Sequence, residues 1–173
     1  MTNVESILEK LASFAVPMDE RKFTREEYNT LFPRGTVETP LGRVKLGKSQ
    51  FDKMEVRDAG GRRKLLGAMH QTLTDPVVVI REIQDDKSAL VYIKSFVGGE
   101  GGGIHPVISV VVTHDGQNIA ITTYRRKLRE VRNKIKMAGS IVYVKNDGGG
   151  LTNGDASPPS KNIAQNPSFC KNN

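Results

Sequence analysis

His70 is the residue on which an acid/base site can be built. It stands in His70-Gln71-Thr72-Leu73-Thr74-Asp75-Pro76, directly after Met69 and four residues after Leu66, at the margin of an apolar helix face. A histidine ordinarily titrates near neutrality, so it can take or give a proton at physiological pH. The other two histidines have plainer readings: His105 precedes Pro106 in a glycine-flanked loop, and His114 precedes Asp115-Gly116 at a hairpin tip. Downstream, strand alternation puts Tyr92 and Lys94 on the face opposite Val91 and Ile93. The same alternation puts Ala120, Thr122 and Tyr124 opposite Ile119, Ile121 and Thr123, with Arg125 and Arg126 at the rim. A phenol, an ammonium and a hydroxyl facing a histidine would suit metal-free proton transfer at a phosphate ester. The competing account is a packed histidine beside a sheet whose outer face is polar because it meets water.

Other chemistries fit poorly. The three histidines are far apart and form no His-Glu-x-x-His array, and Asp85-Asp86 falls in a turn, so neither a metal site nor a cofactor is expected. The run Gly98-Gly99-Glu100-Gly101-Gly102-Gly103 lacks the helix and the Lys-Ser/Thr of a phosphate loop and reads as a flexible hairpin connection. The single cysteine, Cys170, leaves no internal disulfide and is taken as inert. No apolar run approaches the roughly 20 residues of a membrane span, and the start lacks a signal-peptide plan, so the expectation is a cytoplasmic chain without membrane partners.

The elements that must position these residues are legible in outline. Residues 4–14 and 24–32 read as two short helices, the second opened by a Thr24/Glu27 capping pattern. Residues 34–46 read as an edge hairpin around Thr39-Pro40-Leu41-Gly42. A central helix over 58–73 carries Leu65, Leu66, Met69 and Leu73 and is stopped by Asp75-Pro76. Strands are predicted over 77–83, 89–96, 107–113 and 119–124, then a basic helix over 127–136 and an added strand over 140–144. Helices first and strands afterwards make an α+β fold: N-terminal helices and a central helix packed on a four- to five-stranded antiparallel sheet. The expected organisation is an N-terminal helical segment (1–33), an α+β domain (34–146) and a disordered Gly/Ser/Asn/Pro-rich tail or linker (147–173).

The formal net charge of +7 is concentrated in two places. Residues 41–64 hold eight basic side chains against three acidic, and residues 125–136 hold seven against one. Clustering of this kind favours a phosphate-bearing partner over a merely solvated surface.

In order, Leu41-Gly42-Arg43-Val44, a following lysine (Lys48 or Lys53), Arg57, the His70–Pro76 run, Tyr92-Ile93-Lys94 and Ile121-Thr122-Thr123-Tyr124 resemble the phage-borne branch of the barnase, EndoU, colicin E5/D and RelE-like nuclease superfamily. The resemblance covers residues 35–145. It implies metal-independent RNA cleavage with the RNA's own 2′-hydroxyl as nucleophile and a 2′,3′-cyclic phosphate as product. On that reading His70 is base or acid, Lys53 and Arg57 hold the phosphate and Thr122 hydrogen-bonds it. Lys48, Tyr92, Lys94, Tyr124, Arg125 and Arg126 then bind RNA. The implied setting is a toxin-like phage effector or a module of a polyvalent protein. The implied partners are RNA, tRNA among the substrates left open, and an immunity or antitoxin protein. Two readings from other classes compete: a non-catalytic nucleic-acid-binding module, and a structural or interaction domain of a phage protein.

Overall fold

The computed structural model describes residues 3–21, 23–48, 64–98 and 103–146. Local signals set most boundaries. Helix α1 (Val4–Ser13) is capped by Asn3, whose side chain accepts from the Ser6 N–H at 2.8 Å, and it buries Ile7 and Leu11. A two-residue strand β1 (Val16–Pro17) follows. Helix α2 (Arg25–Leu31) starts where Thr24 accepts from the Glu27 N–H at 3.0 Å. Strands β2 (Thr36–Thr39) and β3 (Gly42–Leu46) form the expected hairpin. Helix α3 (Leu66–Thr74) is the central helix, ending at Asp75 before Pro76.

The long strands β4 (Val78–Gln84), β5 (Lys87–Val97), β6 (Ile104–His114) and β7 (Gln117–Arg125) form an antiparallel meander. Asp85 and Asp86 both take positive φ, as do Asp115 and Gly116, which is the backbone twist a two-residue hairpin turn requires. Helix α4 (Leu128–Lys136) and strand β8 (Ser140–Val144) complete the described chain.

The α+β class holds, but the sheet is larger than expected and mixed. Among the described residues it has eight strands, in the order β2-β3-β7-β6-β5-β4-β8, with β1 added to β5. The hairpin lies at one edge of the sheet, as expected, with β2 terminal; it joins the meander through β3, which runs parallel to β7 at Lys45↔Ile119 and Leu46↔Ala120. Strand β1 pairs parallel with the last residues of β5, Val16↔Phe96 and Pro17↔Val97.

Both sheet faces are buried, which is why the strands read as apolar runs rather than a clean alternation. One face, carrying Val79, Tyr92, Phe96, Val107, Val111 and Ala120, lies under α2, α3 and the β2–β3 hairpin. The other, carrying Val78, Ile80, Val91, Ile93 and Ile108, lies under Ile7 and Leu11 of α1 and Val131 and Ile135 of α4. Phe23, Tyr28 and Phe32 on one side and Ile7 and Leu11 on the other build the described part of residues 1–33 into the same core as the sheet. Complete burial of each such side chain contributes roughly 1.5–3 kcal/mol. The tail at 147–173 lies outside the described residues. No described helix is long and apolar enough to cross a membrane.

Candidate functional site

The groove worth building from the residues upward lies where β6 starts, β7 ends and α4 begins. The Arg126 N–H donates to the Pro106 carbonyl at 3.2 Å, which pins the β7–α4 turn against the start of β6. Between them is a groove of about 460 Å³, lined by His105, Arg125, Arg126, Lys127 and Glu130 together with Pro106 and Leu128. Register explains the convergence. His105 lies opposite Phe96, and Val107 lies opposite both Lys94 and Arg125, so His105 and Arg125 point to the α3 side of the sheet. Arg126 instead shares the face of Tyr124, its guanidinium 4.2 Å from the ring centroid. The Glu130 carboxylate accepts from the Lys127 N–H at 3.1 Å and closes the first turn of α4. Arg125, Arg126 and Lys127 have no carboxylate partner among the described residues. Three uncompensated cations beside the positive end of a helix favour an anion there.

The residues singled out from sequence are dispersed. His70 is half-buried on α3, its ring edge-on to Phe32 with centroids 5.4 Å apart. The segment after β1 crosses α3 beside it: the Asp19 N–H donates to Gln71 Oε1 at 2.9 Å, and Gln71 Nε2 donates to the Pro17 carbonyl at 3.2 Å. Burial, reinforced by the Arg21 guanidinium and opposed by the Asp19 carboxylate, pushes the His70 imidazole below the ordinary histidine value. The same burial that favours the neutral imidazole makes it a weaker proton acceptor than a free histidine.

Tyr92 and Lys94 were expected on an open RNA-binding surface, and the structure corrects this. The face they share is covered by α3 and the hairpin. Tyr92 is fully buried, its hydroxyl 2.9 Å from Thr39 Oγ1, which ties the hairpin over the sheet. Lys94 is 2 % exposed and donates to the Asp75 carbonyl at 2.8 Å and to Asp75 Oδ2 at 2.9 Å, leaving no ammonium for a phosphate. Lys145 Nζ also reaches Asp75 Oδ2 at 2.9 Å. Burial alone would raise the Asp75 carboxyl, but the hydrogen bonds from Lys145 and Lys94 outweigh it and hold the group below the usual range.

Thr122 and Tyr124 do not face His70 either. The β6–β7 register shifts between Val110↔Thr122 and Val111↔Ala120, leaving Ile121 as an extra residue. Beyond this bulge Thr122 and Tyr124 share the α1/α4 face, while Thr123 turns to the α3 face and joins Ser109 through a buried hydroxyl pair at 2.8 Å. Lys48 is exposed just past β3, and Lys53 and Arg57 lie outside the described residues. Of the described members of the expected set, only Arg125 and Arg126 line the groove.

A family model described as phage-Barnase-EndoU-ColicinE5/D-RelE like nuclease2 matches residues 18–144. The chain belongs to this family. No curated protein and no solved structure matches it. In this phage nuclease-like domain the match contains every groove residue but begins after α1 and β1, which nonetheless cover and extend the sheet. From sequence His105 is read as a loop residue and Glu130 is not singled out, whereas His105 lies in β6 opposite Phe96 and both line the groove. The usable signal was that both flank the basic run Arg125-Arg126-Lys127 once β6 and β7 are paired as a hairpin. No three His, Cys, Asp or Glu side chains converge as a metal cage among the described residues.

Proposed function

We propose that the domain is an endoribonuclease that cleaves RNA in the basic groove without a metal ion. The observation that carries this reading is the meeting of an imidazole, a carboxylate and three cations, His105, Glu130, Arg125, Arg126 and Lys127, in one groove of about 460 Å³. The RNA 2′-hydroxyl attacks the adjacent phosphorus as a base takes its proton. The P–O5′ bond breaks as an acid protonates the leaving oxygen, giving a 2′,3′-cyclic phosphate and a 5′-hydroxyl. His105 and Glu130 are the two proton-transfer groups, and Arg125 and Lys127 stabilise the charge on the pentacoordinate phosphorus. Lys48, Lys53 and Arg57, in the other basic segment, are proposed to bind phosphates of the RNA backbone.

A second reading places the base at His70, which is half-buried with its ring edge-on to Phe32 and close to the charges of Asp19 and Arg21. The deciding experiment is incubation of wild type, His105→Ala and His70→Ala with total RNA in EDTA, followed by analysis of the fragment ends. Cyclic-phosphate ends lost in folded His105→Ala and retained in His70→Ala support the groove. The reverse pattern moves the chemistry to α3, and intact RNA with wild type replaces catalysis by RNA binding alone.

A further inference from the structure

Arg126 is exposed and held by three contacts. The backbone N–H is fixed to Pro106, Nη1 donates to the Arg125 carbonyl at 3.4 Å, and Cζ lies over the Tyr124 ring, 4.2 Å from its centroid. Tyr124 is half-buried against the α1/α4 core, so one side of its ring meets protein and the guanidinium caps the other. The ring face under the guanidinium is therefore not free for a base. The guanidinium is: a delocalised planar cation stacks on π-systems, and unpaired RNA bases are commonly bound on such planes. Arg126 is exposed, lines the groove and has no carboxylate partner among the described residues.

We propose that Arg126, set over Tyr124 at the groove rim, is a stacking platform for one unpaired nucleobase next to the scissile phosphate, which makes the substrate single-stranded RNA. The proposal rests on the reading of the groove as an RNA site. In a duplex both faces of an internal base are covered by its neighbours, so only a splayed base reaches the guanidinium. The arrangement also separates two functions along consecutive residues: Arg125, on the opposite face, meets the phosphate, and Arg126 meets the base.

The test uses the full chain and probes that cannot be cleaved because they lack a free 2′-hydroxyl. These are a fluorescein-labelled 2′-O-methyl adenosine decamer, the same decamer without bases, and a 2′-O-methyl duplex of equal length. Anisotropy titrations of wild type should show the base-bearing single strand bound about tenfold more tightly than the base-free chain or the duplex. Arg126→Lys, which keeps the charge and removes the plane, should erase that preference and leave affinity for the base-free chain unchanged. Retention of the preference in Arg126→Lys overturns the platform, as does equal binding of all three probes, or binding of none, by wild type. Failure of cleavage in EDTA with the base preference intact sinks the nuclease chemistry alone, so the two ideas fail separately.

Discussion

Lys94 Nζ and Asp75 Oδ2 stand 2.9 Å apart, yet the lysine is 2 % exposed and the aspartate 51 %. The pair is asymmetric in what each partner leaves behind. Asp75→Ala strands a buried ammonium and should cost about 3 kcal/mol, whereas Lys94→Met returns an apolar side chain to an apolar layer and should be close to neutral. Urea unfolding at neutral pH reads both, and equal losses would contradict the account.

Acid should unfold the domain in two stages. His70 has a folded value below its ordinary 6.5, so the stability it contributes is present above that pH and is lost as protons bind the unfolded chain preferentially below it. Asp75 and Asp19 lie below their ordinary 3.8, so their contribution is lost as pH falls through that value and below. In unfolding free energies measured against pH, His70→Gln should flatten the first stage and leave the second intact.

Gly67 on α3 marks a close approach of chain segments. A Cβ placed there would lie 2.3 Å from the Asp19 carbonyl oxygen and 2.5 Å from Asp19 Cγ, so the segment crossing α3 would have to move. Gly67→Ala should therefore destabilise by about 1–3 kcal/mol despite better helix propensity. A thermal midpoint at or above wild type would show that the crossing segment is loosely held.

Salt dependence should separate groove cations from buried ones. Replacing both Arg125 and Lys127 by Ala should reduce the slope of log affinity against log salt for single-stranded RNA by about 1.4. Lys94→Met should leave that slope as it is, because its ammonium is already committed to Asp75.

The bulge at Ile121 gives a further expectation. Thr122 is turned to the α1/α4 face and does not line the groove, so Thr122→Ala should cleave RNA at the wild-type rate. A large loss of rate in a folded Thr122→Ala protein would restore the surface that simple alternation suggests.

Much of the scaffold is legible because its signals are local. The Thr24 cap, the Asp85-Asp86 and Asp115-Gly116 turns, the apolar spacing of Leu66, Met69 and Leu73 and the Asp75-Pro76 stop all act within a few residues of the elements they define. What escaped is non-local. Nothing near Lys45 announces that it pairs with Ile119, nothing near Val16 announces Phe96, and one extra residue at Ile121 reverses the face of Thr122 and Tyr124 without leaving a mark in the alternation. The candidate site suffered most, since Tyr92 and Lys94 were polar residues on a face assumed open. Their polarity instead satisfies Thr39 and Asp75 inside the core.

The two parallel pairings have a consequence for how the domain is made. Strands β1 and β3 emerge early in synthesis, but their partners, the end of β5 and the start of β7, come much later. Closing such long loops is slow, and the apolar faces of α1 and the β2–β3 hairpin have nowhere to dock in the meantime. The meander must assemble first, with the N-terminal third of the chain waiting to wrap it. The groove, built from the start of β6, the end of β7 and the first turn of α4, therefore takes shape with the meander, before the N-terminal third closes over the sheet.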